Sequence, residues 1–97
     1  MIQHIVCIRF KVGTTAGQIA HAGSSLLSLK GRIPEIHDIR WGPNLGPSSA
    51  EYTHVLTVVL DDMAAVARYL AHPVHVQVVA EALAPIREAR LAIDFEG

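Results

Sequence analysis

Alternating apolar positions predict the two longest strands of the chain. Residues 2–10 alternate strictly, and one face of this segment carries Ile2, His4, Val6, Ile8 and Phe10. A period of two residues is typical of a β-strand. The segment 52–60 is rich in β-branched residues and has apolar groups on both faces, so we predict a second strand there.

A helical period replaces the alternation in two other segments. Thr15 and Gln18 have the spacing of a capping box, and the apolar positions after them predict a helix from about Thr15 to Lys30. Asp61-Asp62 is an N-cap signal for a second helix, which we expect to break at His72 and restart at Pro73. In the restarted helix His75 shares the apolar stripe, so it points toward the core.

Two shorter strands complete the pattern, one over Ile36 to Trp41 and one over Leu91 to Glu96, and the Gly42 to Ala50 segment predicts a hairpin loop. The order is β-α-β-β-α-β. This order predicts an α+β, ferredoxin-like domain over residues 1–97, with a four-stranded antiparallel sheet that carries its helices on one face.

The other face of that sheet needs a cover. In this topology the first and third strands lie at the centre, and their second faces present Ile5, Cys7, Val55 and Val59. An exposed apolar patch of this kind is uncommon on a monomer. We therefore predict a twofold homodimer that packs sheet against sheet.

Composition narrows the class of protein. The 97 residues are 51% hydrophobic and 18% charged with a net charge of -1, which gives no indication of a nucleic-acid partner. No apolar run is long enough to span a membrane, and residues 1–4 lack the features of a signal peptide. The single cysteine, Cys7, suits a reducing compartment, so we expect a cytoplasmic protein.

Five short segments, in this order and spacing, resemble the stress-responsive A/B barrel family of dimeric α/β barrels. They are residues 1–6, Phe10-Lys11, Trp41-Gly42, Tyr52-Thr53-His54 and the string Tyr69-Leu70-Ala71-His72-Pro73-Val74-His75. The last two together are the most specific part of the match. The resemblance covers nearly the whole chain.

The family is functionally mixed, but it includes a plant polyketide cyclase that closes a linear poly-β-ketone without a cofactor. Resemblance to that cyclase implies polar pocket residues at His4, His54, Tyr69 and His75, with Tyr69 and His75 as the catalytic pair and the other two as substrate-binding residues. It implies no cofactor and a small apolar carbonyl or phenolic ligand.

The residue types suit that chemistry. An intramolecular aldol closure needs a base for the proton between two carbonyls and a donor for the enolate oxygen. His75, in the first turn after Pro73, is placed to stay neutral beside the positive end of the helix dipole, and Tyr69 offers a phenol. His4 and His54 share the helix-facing parity of their strands, but the sequence leaves open whether the strand register brings them together.

Other interpretations stay open. The same residues could form a hydrogen-bonded core network in a non-catalytic stress or ligand-binding protein, or the fold could serve a cofactor-free monooxygenase. His72 and His75 alone are too few for a zinc site, so we predict no metal. Where the cyclase has aromatic groups on its first helix, this chain has Ala22, Gly23 and Leu26, so we expect a pocket of different shape.

Overall fold

A computed structural model describes all residues from 1 to 97 and has the predicted order of elements. The elements are β1 Ile2–Phe10, α1 Ala16–Leu27, β2 Asp38–Pro43, β3 His54–Leu60, α2 Met63–Ala71, α3 Pro73–Val78, a π-helical segment Val79–Leu83, and β4 Arg87–Glu96.

The four strands form one antiparallel sheet in the order β2-β3-β1-β4, with β1 and β3 at its centre. The helices cover one face, where a continuous core forms around the buried positions of β1 and β3. The ferredoxin-like α+β prediction is confirmed. None of the helices is both long and apolar enough to cross a membrane.

Several boundaries differ from the sequence prediction. β2 lies two residues later than expected, β3 begins at His54 rather than at residue 52, and α1 ends at Leu27 instead of Lys30. β4 starts at Arg87, four residues before the predicted start, because its N-terminal part is polar and lacks the apolar alternation that marks residues 91–96.

The start of α1 follows from its cap. The Thr15 hydroxyl accepts a hydrogen bond from the Gln18 amide at 3.1 Å, and the Gln18 side chain accepts one from the Thr15 amide at 2.9 Å. This reciprocal pair satisfies two backbone donors that a helix otherwise leaves open. The predicted capping box is present.

One glycine of α1 is required by close packing against β2. A Cβ atom built on Gly23 would lie 2.4 Å from Nε1 of Trp41, which no side chain tolerates. The indole therefore occupies the space that a larger residue at 23 would need.

We expect Gly23→Ala to lower the free energy of unfolding by about 1–3 kcal/mol, because the methyl group would force Trp41 to move. Gly17→Ala in the same helix is the matched control: a Cβ there meets nothing closer than 3.9 Å, and alanine should stabilise the helix by roughly 0.5–1 kcal/mol. Urea denaturation of the two variants measures the difference. Equal stabilities would show that the Trp41 contact is not restrictive.

The break between α2 and α3 lies where Pro73 predicts it. His72 has extended backbone geometry and ends α2, and its Nδ1 accepts a hydrogen bond from the Val74 amide at 3.1 Å as the cap of α3. The Ala84 amide bonds the Val79 carbonyl five residues back at 2.8 Å, which is the π-helical pattern.

A β-bulge interrupts the pairing of β4 with β1. Arg9 pairs with Ala89 and Phe10 pairs with Arg87, so Glu88 has no partner of its own. Beyond the bulge the even positions of β4 face the helices, and the extra residue brings Arg87 to that side as well, opposite Phe10.

The second face of the sheet has no helix on it. The odd positions of β4 add large apolar side chains to the patch predicted from β1 and β3, and Leu91, Ile93 and Phe95 are each more than 40% exposed. The uncovered apolar surface is therefore wider than the sequence prediction, which placed it on the two central strands alone.

Candidate functional site

A small cavity lies between the helices and the sheet. Its volume is about 100 Å³, and most of its lining is apolar. The polar groups that reach it are His4 from β1, Tyr69 from α2, His75 from α3, and Arg87 and Arg90 from β4.

His75 lines the cavity, and one of its ring nitrogens is already hydrogen-bonded to the protein. Its Nδ1 lies 3.0 Å from the carbonyl oxygen of Leu70, and since a carbonyl oxygen only accepts, Nδ1 carries the proton. Nε2 therefore keeps a free lone pair. Burial lowers the pKa of His75 below its ordinary value of 6.5, against the opposing effect of the Leu70 hydrogen bond.

Tyr69 lies beside that ring in the cavity. Its side chain is 1% exposed, and its ring centroid is 4.6 Å from that of His75. The phenol makes no hydrogen bond to another protein group. Every fully buried polar side-chain atom does have a hydrogen-bond partner. The Tyr69 hydroxyl is therefore not fully buried, and it faces the cavity. Burial raises the pKa of Tyr69 well above 10, so the phenol stays protonated.

His4 forms the floor of the site. It is 3% exposed, its ring stands edge-on to Tyr69 at 5.8 Å, and its Nδ1 lies 2.6 Å from Oδ1 of Asp94. A carboxylate oxygen accepts hydrogen bonds, so this contact places a proton on Nδ1 of His4.

His54 lies elsewhere, because the register of β1 and β3 separates it from His4. His4 pairs with Val58 and His54 pairs with Ile8, a separation of four strand positions or roughly 13 Å. His54 stacks on Trp41 at 5.3 Å and meets Phe10 edge-on at 5.4 Å, and burial lowers its pKa. It does not line the cavity of His75 and Tyr69.

Sequence reasoning missed the two arginines. A regular strand would place Arg87 and Arg90, three residues apart, on opposite faces of the sheet. Arg90 faces the cavity by the regular alternation of β4, and the bulge at Glu88 brings Arg87 to the same side. The polar residues Arg87-Glu88 before an apolar strand do not indicate a bulge, because bulges have no simple sequence pattern.

No group of three or more His, Cys, Asp or Glu side chains is arranged to hold a metal ion. Of the two histidines flanking the proline break, His72 uses Nδ1 to cap α3 and His75 uses Nδ1 to bond Leu70. The cavity groups are therefore acids, bases and hydrogen-bond donors.

Residues 2–97 match the family model described as the Stress Responsive A/B Barrel Domain. The chain belongs to this family.

Three similar proteins illustrate what this A/B barrel domain resembles. It is 27% identical over 77 residues to the olivetolic acid cyclase of Cannabis sativa, covering 77% of this chain and 76% of the relative. It is 25% identical, with a TM-score of 0.90, to a crystal structure of an Arabidopsis thaliana protein, covering 100% of this chain and 95% of that one. It is 29% identical, with a TM-score of 0.82, to a dimeric ferredoxin-like protein of unknown function from Thermobifida fusca, covering 97% and 88%.

The four pocket positions implied by the family resemblance thus fall into two groups in this A/B barrel domain. His4, Tyr69 and His75 surround one cavity, whereas His54 belongs to a separate aromatic cluster with Phe10 and Trp41. The roles predicted for all four stay predictions.

Proposed function

We propose that the chain is a homodimeric, cofactor-independent enzyme that acts on a small β-dicarbonyl compound in the cavity of Tyr69 and His75. The observation that carries this proposal is the orientation of His75. The Leu70 carbonyl holds its Nδ1 proton, and the basic Nε2 remains beside a phenol that has no protein partner. This is a base next to a hydrogen-bond donor in a mostly apolar space.

The proton step uses both groups. Nε2 of His75 removes a proton from the carbon between two carbonyls, and the resulting enolate oxygen accepts a hydrogen bond from the Tyr69 hydroxyl. Because the pKa of Tyr69 is raised, the phenol donates the hydrogen bond without losing its proton. Because the pKa of His75 is lowered, the ring is neutral and able to act as a base at pH 7.

Ring closure follows from the same arrangement. In a substrate with a third carbonyl further along its chain, the enolate carbon attacks that carbonyl carbon, so a C–C bond forms and the π bond of the third carbonyl becomes an alkoxide. The protonated His75 returns its proton to that alkoxide. The product is a cyclic β-hydroxy ketone, and no electron acceptor or cofactor takes part.

The relatives support this proposal in two ways. The similarity to a protein named olivetolic acid cyclase favours cyclisation of a carbonyl compound. The similarity to a dimeric structure, together with the uncovered apolar face of the sheet, favours a homodimer of this chain. A cytoplasmic location and the absence of nucleic-acid partners stay predictions.

The cavity volume favours a second candidate as well. A cavity of about 100 Å³ is smaller than one of roughly 150 Å³ that holds benzene, and far smaller than ordinary ligand pockets. This size favours a short substrate. It equally fits a non-catalytic ligand-binding or stress protein, in which His4, Tyr69 and His75 form a polar core network.

Tyr69→Phe separates the two candidates. It keeps the ring and removes a hydroxyl that has no protein partner, so we expect the melting temperature to change little. If Tyr69 stabilises an enolate, deuterium exchange at the central carbon of acetylacetone, followed by NMR, should slow about 100-fold relative to the wild-type protein.

Tyr52→Phe is the matched control, since Tyr52 lies before β3 and outside the cavity. Wild-type exchange no faster than in buffer would leave the ligand-binding candidate standing and exclude catalysis of this step. Oxygen uptake with an anthrone would instead support the monooxygenase alternative. His54 is assigned to substrate binding only as a prediction, which His54→Ala tests in the same assay.

A further inference from the structure

The two arginines of the cavity differ from every other cationic side chain of the chain. Of the eight Lys and Arg residues, only Arg87 and Arg90 have no acceptor or carboxylate partner. The other six each have a hydrogen-bond acceptor or a carboxylate as partner: Arg9, Lys11, Lys30, Arg32, Arg40 and Arg68.

The carboxylates nearest to them in sequence are already engaged. Glu88, between the two arginines, turns to the opposite face and bonds Nε of Arg9 at 2.8 Å. Asp94, on the helix-facing side of β4, bonds His4 at 2.6 Å. Two positive charges therefore line one cavity without a counter-charge from the protein.

Two neighbouring positive charges repel each other, so this pair of arginines is unfavourable unless a negative charge from outside the protein compensates it. Arg87 is partly buried, and both its burial and the neighbouring charge of Arg90 lower the pKa of its guanidinium. Arg90 is exposed, so the cavity reaches solvent on the side where these charges lie. An anion entering there would relieve the repulsion and replace lost hydration with hydrogen bonds.

We propose that Arg87 and Arg90 bind the carboxylate of the ligand, so that the substrate class of this cavity is small β-keto acids rather than neutral diketones. This inference rests on the proposed function, because it takes the cavity as the ligand site. A guanidinium presents paired N–H donors that match the two oxygens of a carboxylate. With that group held at β4, the ketone of the acid extends toward Tyr69 and His75.

Two ligands of nearly the same shape test the proposal. Acetoacetate and acetylacetone differ in that the first ends in a carboxylate and the second in a methyl ketone. We expect the wild-type protein to bind acetoacetate at least about tenfold more tightly, because two charge-assisted hydrogen bonds are added. Ligand-observed NMR titration measures both affinities, and added salt should reduce the difference.

The variants assign the preference to these residues. R87Q/R90Q should lose the preference for acetoacetate, so that acetoacetate and acetylacetone bind this variant with similar affinities. R32Q/R40Q removes the same charge from two exposed arginines outside the cavity and should keep the preference. Circular dichroism melting checks that both variants fold.

The possible failures are distinct. Equal affinities of the wild-type protein for the two ligands would overturn carboxylate recognition and leave the proposed function intact. Binding of neither ligand would overturn both. A preference that persists in R87Q/R90Q would show that another group recognises the anion and would also overturn the inference.

Discussion

His75→Gln is expected to slow protein-catalysed deuterium exchange at the central carbon of acetylacetone by about 10²–10⁴-fold, the usual contribution of a general base. Glutamine has a similar size and keeps a polar amide, but it has no basic nitrogen, so the base Nε2 is lost. NMR exchange rates at pH 7.5, together with a thermal melt, measure activity and folding separately.

The pH dependence of the wild-type rate gives an independent check. The base is active when neutral, and burial lowers the pKa of His75 below 6.5. The rate should therefore reach its plateau at a lower pH than an ordinary histidine would give, and it should fall as the pH drops through the lowered pKa. A fall centred above pH 7 would contradict the assignment.

His21→Gln is the matched control for this prediction, because His21 is an exposed histidine on α1 outside the cavity. Its exchange rate should equal that of the wild-type protein. Full activity in His75→Gln would remove His75 from the reaction, and a rate loss accompanied by a collapse of the melting temperature would favour the structural role.

Ile93→Lys is expected to convert the proposed homodimer into a monomer. Ile93 is 46% exposed at the centre of β4, on the sheet face that we propose to be covered by the second copy. Burying an unpaired ammonium at such an interface costs about 3–5 kcal/mol, which weakens association by roughly 10²–10³-fold or more. Light scattering at micromolar concentration measures the mass.

Val76→Lys is the control for the dimer. Val76 is a comparable apolar residue, 54% exposed, but it lies on α3, on the other side of the sheet. It should leave the dimer intact. A wild-type mass near the 10.5 kDa of one chain, or a dimeric Ile93→Lys protein, would refute association through this face.

The sequence was most informative where one local rule decided the outcome. Alternation over residues 2–10, the Thr15 and Gln18 capping box, and the Pro73 break all predicted elements that the structure contains. The convergence of Tyr69 and His75 follows from that break, since the restarted helix turns His75 back onto the preceding turn.

Non-local geometry was harder to predict. The register of β1 against β3 depends on packing across the whole sheet, so the distance between His4 and His54 could not be deduced. The bulge that brings Arg87 into the cavity depends on one unpaired residue, and the predicted β4 began only after it.

That unpaired residue gives β4 two alternations in one strand. From residue 89 onward the odd-numbered side chains point toward the proposed subunit contact. Arg87 is also odd-numbered, but it points toward the proposed ligand site. Deleting Glu88 would remove the bulge and make the alternation regular, and Arg87 would stay opposite Phe10 on the pocket side of the sheet. The deletion would instead remove the carboxylate that bonds Arg9 on the opposite face, so the loss of one residue here would change the charge of the proposed subunit contact and leave that of the pocket unchanged.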